Sequence, residues 1–370
     1  MSKTFLILGG YGNTGKLIAD LLLKETEVQL ILAGRNLAKA KFLANKLNHQ
    51  FNSDRVFAIQ VDAADANNLK NAFAKTDFVI VASSTSEYVK NVAEAAIHHQ
   101  IDYLDIQVSA SKHDILKSLQ DDIVQANCCF ITDGGFHPGL ASVLVRYAVP
   151  YFDTLETANL AGLIRENWQQ LSFSDATWPE FLSELKHFPT IFFQNGDWQN
   201  IGWQTKIFDF GTEFGKQPCF PMLLEEMRFL PAEISSLKEM GFYIAGFNWF
   251  VDYVVFSLAI PALNIWPKTA IGPIAKMMVW GLNTFSQPPY RTILLLEASG
   301  WKNEQFKTMR VQLEHQNGYL LTAIPVVACL LQYLDGSIKK PGLWWQGNIV
   351  EPNQMLEDIR RLGVNVEIKK

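Results

Sequence analysis

A short apolar run, Thr4–Leu8, ends in Gly9-Gly10-Tyr11-Gly12-Asn13-Thr14-Gly15, and over residues 16–23 apolar side chains then recur with helical spacing at Leu17, Ile18, Leu21 and Leu22. Strand, glycine-rich turn and helix in that order leave few folds open. The turn contains GxGxxG at Gly10, Gly12 and Gly15. The first glycine permits the tight turn, the second lets backbone approach a diphosphate, and the third lets helix and strand pack closely. An anion then meets the helix N-terminus, where free N–H groups and the helix dipole favour negative charge. The same spacing without a ligand would be only a glycine-rich turn, so its setting decides.

That setting is a regular alternation. Residues 28–33, 56–61, 78–82, 103–106 and 128–132 read as buried strands, and 37–47, 67–74 and 87–98 as helices between them. Such alternation implies right-handed crossovers and a parallel sheet. The fold class is therefore α/β, with a Rossmann doubly wound sheet at the N-terminus. Tyr11, Asn13 and Thr14 join the three glycines as expected dinucleotide contacts. The second strand ends Ala33-Gly34-Arg35, where a domain that prefers NAD would carry an acidic residue. A guanidinium pairs with a 2′-phosphate and an acid would repel it, so the cofactor expected is NADP (NADPH). Asp62 and Ala63, and Ser83 and Ser84, end the next two strands at the carboxyl edge of the sheet and are further expected cofactor contacts. Asp62 serves equally well as a helix cap.

These residues carry a family resemblance. The turn 9–15, the strand end 32–35, the stretch 61–65 and Gly134-Gly135-Phe136-His137-Pro138-Gly139-Leu140 together resemble the saccharopine dehydrogenase-like family of NADP-dependent oxidoreductases. Pro341-Gly342-Leu343, Glu351-Pro352 and the helical pattern to Leu362 are similar to it as well. The resemblance implies a Rossmann domain over 1–147 and an α+β substrate domain with a mixed sheet over 148–320. It also implies a terminal segment, 321–370, that returns to the first domain. One departure is plain: relatives follow the fifth strand with a glycine and an acidic residue, and here the chain reads Asp105-Ile106-Gln107-Val108-Ser109.

Hydride transfer is the cofactor's reaction, so one titratable group can suffice. His137, in a glycine-flanked loop with an ordinary pKa near 6.5, is the leading catalytic candidate. It reads equally as a loop histidine bonded to backbone. Tyr103 and Asp105 are the next candidates, or packing and capping residues. No nucleophile elbow and no kinase-like set occurs in the sequence. Cys128, Cys129, Cys219 and Cys329 form no CxxC pair, and no metal site is expected.

All ten tryptophans lie at or beyond Trp168, while only Arg165, Arg228, Arg291 and Arg310 fall within 151–320. A polycarboxylate substrate calls for clustered arginines. The composition suits a bulky apolar substrate better, unless the aromatics merely fill a core. Residues 242–266 and 271–282 are nearly uniformly apolar, but Asp252 and Pro261 oppose a membrane span. A buried helical pair and a peripheral membrane contact through 242–282 both stay open, as does a homodimer. The net charge of −5 disfavours nucleic acid as a partner. The N-terminus lacks the zones of a secretory signal, so a cytoplasmic location is expected, peripheral to a membrane if that contact forms. Three functions compete: an NADPH-dependent reductase of a C=N, C=C or C=O bond, a non-catalytic NADP(H)-binding protein, and saccharopine-type reductive amination.

Overall fold

A computed structural model describes residues 2–171, 177–184, 190–202 and 204–370. Trp203, one of the ten tryptophans counted above, lies outside them. The chain divides into two compact units, residues 1–143 with 319–362, and residues 144–318 with 363–370.

The first unit opens with β1 (Thr4–Leu8), α1 (Asn13–Glu25), β2 (Gln29–Gly34), α2 (Leu37–Phe51), β3 (Val56–Gln60), α3 (Ala66–Phe73) and β4 (Phe78–Val81). It goes on through α4 (Val89–His99), β5 (Asp102–Asp105), α5 (Ala110–Ser118), α6 (Gln120–Gln125) and β6 (Cys129–Thr132), and the division from the second unit falls within α7 (Ala141–Ala148), after Val143. Local chemistry sets the boundaries. The Asn36 side chain caps α2 by accepting from the Lys39 N–H, and Asp65 caps α3 by accepting from Asn67 and Asn68. The left-handed residues Asn52 and Gln100 end α2 and α4.

The second unit contains β7 (Thr154–Arg165), α8 (Thr177–Glu184), β8 (Ile191–Gln194), β9 (Asp197–Asn200), β10 (Lys206–Asp209), β11 (Lys216–Pro221), α9 (Leu230–Glu233) and β12 (Glu239–Ala245). A π-helical turn at Val251–Val255 runs into α10 (Phe256–Ile265), followed by α11 (Pro267–Phe285), β13 (Arg291–Lys302) and β14 (Gln305–His315). The chain then returns to the first unit through α12 (Gly318–Leu334), β15 (Gly342–Trp345), α13 (Gln346–Ile349) and α14 (Pro352–Arg361), and ends in β16 (Asn365–Lys369).

The first sheet has the order β15-β6-β5-β4-β1-β2-β3, and every strand pair in it is parallel. This is the doubly wound arrangement, with β15 added beside β6. Fully buried apolar strands such as Phe78-Val79-Ile80-Val81 reflect helices on both faces. The second sheet runs β10-β11-β12-β7-β13-β14-β16, with β8 and β9 branching from β12. Only β12 and β7 pair in parallel, so the sheet is mixed.

Two sequence expectations change. The segment 321–370 does not stay whole, because 363–370 belongs to the second unit, where β16 pairs with the edge that β14 offers. The apolar run from 242 is not one helix. Phe242, Tyr243, Ile244 and Ala245 complete strand β12, and helix resumes at the π turn. Its helical remainder buries one face through Val251, Val255, Ala259, Met278 and Leu282, around Trp168 and Trp178. The other face leaves Trp249, Tyr253, Trp266 and Trp280 exposed. Among the described residues, no helix is long and apolar enough to cross a membrane.

Candidate functional site

The turn after β1 is built so that side chains could not fit. Gly9 has φ +83, and a Cβ there would lie 2.6 Å from the Ala82 carbonyl oxygen; at Gly15 it would lie 2.3 Å from that of Gly9. Gly12 is the N-cap of α1 and offers no side chain to the helix N–H groups, and the first turn of α1 carries no acid. An approaching anion therefore meets helix dipole and backbone N–H groups without a competing carboxylate. Gly9 N–H bonds the Ala33 carbonyl at 2.8 Å, and Gly12 N–H that of Gly9 at 2.8 Å, which holds the loop against β2.

Tyr11 proves to be a brace. Its ring lies so close to Gly34 that a Cβ there would come within 2.7 Å, and its hydroxyl accepts from the Asn36 N–H at 2.9 Å. The glycine turn and the Arg35 turn are thus tied together. Arg35 is exposed, and its carbonyl accepts from the Gln60 amide at 3.2 Å. The phenol of Tyr88 titrates above its ordinary value, first through its hydrogen bond with Glu87, with Asp62 adding to the rise and Arg35 opposing it. Arg35, Asp62 and Tyr88 therefore share one neighbourhood, and Tyr88 had not been singled out from sequence.

Asp62 is exposed and accepts from the Ala64 N–H at 3.0 Å, while capping of α3 falls to Asp65. The helix-cap reading of Asp62 is thereby removed. Ala63 is buried beneath it. At the end of β4, the Ser83 hydroxyl pairs with that of Thr85 at 3.0 Å, and Ser84 is exposed. Gln107 donates from Nε2 to the Ser83 carbonyl at 2.9 Å and to the Thr85 hydroxyl at 3.0 Å. A carbonyl can only accept, so the amide orientation is forced. Its buried Oε1 is left without a partner among the described residues.

Below this edge lies an ionic network that sequence reading did not assemble. Lys112 and Asp105 are both fully buried, with Nζ 2.6 Å from Asp105 Oδ1 and 2.7 Å from Asp133 Oδ1. Lys112 also donates to the Gln107 carbonyl. Thr132 donates to Asp105 Oδ2 at 2.8 Å, and His113 Nε2 sits 2.9 Å from Asp133 Oδ1. Burial pulls the Lys112 pKa down, but the Asp105 and Asp133 carboxylates more than reverse it and leave it raised. Burial likewise pushes Asp133 up, yet Lys112 and His113 overcome this and hold its carboxyl below the usual range. Asp133 adopts φ 58, left-handed for a non-glycine residue, directly before the loop 134–140.

This placement revises the catalytic candidates. Asp105 is enclosed in the network, and Tyr103 is buried in the core, stacked on Phe130 at 4.8 Å. Burial, then the Asp105 charge, raises the Tyr103 phenol well above its ordinary pKa. Both side chains are fully buried, Asp105 among its partners in the network and Tyr103 in the core. His137 is half-buried, stacks on Phe136 at 3.9 Å, and is lowered by burial to about 4. Its ring is neutral near pH 7, which corrects the expectation of an ordinary histidine poised to exchange protons. The loop that carries it is pinned by Gln346, whose amide bonds the Gly135 carbonyl at 3.0 Å and its N–H at 3.3 Å.

Glycine cradle, Arg35 and the unpartnered Gln107 oxygen fit a phosphorylated nicotinamide dinucleotide, and comparison with known proteins agrees. Residues 5–128 match the family model described as the saccharopine dehydrogenase NADP binding domain. The chain is 24% identical over 401 residues to a carboxynorspermidine synthase of Vibrio cholerae, covering 97% of this chain and 95% of that one. It is 20% identical to the synthase of the same name from Vibrio alginolyticus, covering 98% and 96%. Its fold matches an apo saccharopine dehydrogenase (L-Glu forming) from Saccharomyces cerevisiae with TM-score 0.69 and 16% identity, across 100% of both chains. Fold and site define an NADP-dependent oxidoreductase built on a Rossmann domain. Over residues 5–128 the chain is similar to the NADP binding domain of the saccharopine dehydrogenase family.

Proposed function

We propose that the chain is an NADPH-dependent reductase of a C=N, C=O or C=C bond in a largely apolar substrate. Bound NADPH supplies the hydride to carbon, and a proton from solvent completes the reduction at nitrogen, oxygen or the second carbon. The backbone amides at the N-terminus of α1 hold the diphosphate, Arg35 pairs with the 2′-phosphate, and Asp62, Ala63, Ser83 and Ser84 line the ribose edge. Gln107 Oε1 accepts from the nicotinamide carboxamide. His137, neutral near pH 7, hydrogen-bonds the substrate heteroatom and so orients the reacting bond.

One observation supports the apolar choice: every arginine within 151–320 is already engaged. Arg165 donates to the Gly246 and Phe247 carbonyls, Arg228 pairs with Glu225, Arg291 with Glu213 and Glu314, and Arg310 with Glu297. None is left as a bidentate clamp for a carboxylate-rich substrate. The test is NADPH oxidation with a panel of hydrophobic imines, enones and ketones set against amino acid–keto acid pairs and carboxylated polyamines. Turnover confined to the hydrophobic set is expected. Turnover confined to the carboxylated set would overturn the reading, and tight NADPH binding with no turnover at all would favour a non-catalytic nucleotide-binding protein.

A second reading rests on the exposed aromatic face of the helices within 242–282. Trp249, Tyr253, Trp266 and Trp280 are 55%, 67%, 61% and 54% exposed. Tryptophan and tyrosine suit a membrane–water interface, and we propose a peripheral contact there. Co-sedimentation with anionic vesicles that is lost in a Trp266→Ser/Trp280→Ser variant is expected; a fully unbound wild-type chain contradicts it.

A further inference from the structure

The second unit holds a cavity of about 690 Å³ that the reductase reading does not use. It is lined by α11 residues three and four apart, among them Gly272, Ala275, Lys276, Val279 and Trp280, which share one helix face. Trp168 and Trp178, edge-to-face at 5.6 Å, close it on another side. The lining is mostly apolar and its volume lies within the range of small-molecule sites, roughly 300–1,000 Å³. Nothing lies within 4 Å of where a Cβ on Gly272 would sit, although glycine weakens a helix interior relative to alanine. Exposed Gly272 and small Ala275 keep side-chain bulk low on the helix face that lines the cavity.

Charge narrows the occupant. Among the described residues no carboxylate lines the cavity, and residues 253–296 contain no Asp or Glu in a chain of net charge −5. Lys276 lines the cavity, is exposed, and makes no ion pair among the described residues. One point-like cation beside an apolar slot matches one anionic head on one hydrocarbon tail. We propose that this cavity binds a single-chain anionic amphiphile, a medium- or long-chain fatty acid anion, with its tail against Trp168, Trp178 and Val279 and its carboxylate at Lys276. The proposal stands independently of the reductase reading, since the cavity lies wholly in the second unit.

The test uses the full chain, with octanoate, decanoate and dodecanoate below their micelle concentrations, read by calorimetry and tryptophan emission. Affinity should tighten with length, by up to about fourfold per added methylene where burial is complete. Gly272→Leu puts a bulky side chain on the helix face that lines the cavity and should weaken dodecanoate at least tenfold, with far-ultraviolet dichroism and NADPH affinity unchanged. Lys276→Met should keep dodecan-1-ol binding and lose a preference for dodecanoate of about three- to fivefold, the size expected of an exposed ion pair. Dodecanoate that does not bind, or binds Gly272→Leu as tightly as wild type, overturns the proposal. Equal binding of acid and alcohol by the wild-type chain overturns its assignment of an anionic head.

Discussion

In the proposed site Gly12 faces the phosphate, and a Cβ there would lie 3.0 Å from the backbone carbonyl oxygen of Gly9, which accepts from the Gly12 N–H. Gly12→Ala should therefore raise the Kd for NADPH at least about tenfold, roughly the worth of one charge-assisted hydrogen bond; titration calorimetry beside a melting curve separates this from any loss of stability. Lys112→Met leaves Asp105 and Asp133 buried without their cation, and a broken buried pair costs about 3–5 kcal/mol, which urea unfolding will measure. The sign with pH follows. Asp133 has a depressed folded pKa, so its contribution is present above the unfolded carboxylate value near 4 and is lost as pH falls through and below it. In Lys112→Met acidification should instead relieve the two uncompensated carboxylates, so the slope below about pH 5 reverses. His137, lowered to about 4, binds protons later than its unfolded form. Stability is then lost as pH falls from about 6.5 to 4, and His137→Gln should flatten that stretch of the denaturation profile. Residue types alone revealed the glycine turn, because few other residues fit where a Cβ would meet backbone. The Lys112 network was not legible, since Lys112 and Asp133 stand 21 residues apart and each is ordinary taken singly.

At the scale of elements, the parallel strands were legible because a strand buried on both faces is written as an unbroken apolar run, as in Phe5-Leu6-Ile7-Leu8. The segment from 242 was harder. Strand β12 and the π turn that follows are both apolar, and periodicity does not mark where one period replaces the other. Helix α5, which holds both Lys112 and His113, is short and weakly patterned, so no apolar stripe announces it. The resemblance implies that the whole of 321–370 returns to the first domain, yet the pairing of β16 with β14 is a long-range choice that no local signal carries. Removing residues 364–370 should bare the β14 edge. A lower melting temperature and concentration-dependent aggregation are expected; an unchanged melting curve would show that β16 contributes nothing to its sheet.

At the scale of the molecule, one unit carries a dinucleotide cradle and the other a mixed sheet with an aromatic helical layer. Ligand binding to the native chain should stabilise it by mass action, about 2.7 kcal/mol at a hundred times Kd. In the proposed function the turn after β1 grips the diphosphate while Arg35 selects the phosphorylated ribose. Calorimetric titration of the wild-type chain and Arg35→Ala with NADPH and NADH tests this most directly. The prediction is a wild-type preference for NADPH of about 10- to 100-fold, the worth of a charge-assisted contact, and a variant that binds both nucleotides alike at the wild-type NADH level. A variant that keeps the full preference, or a wild-type chain that gives no heat with either nucleotide, would contradict it.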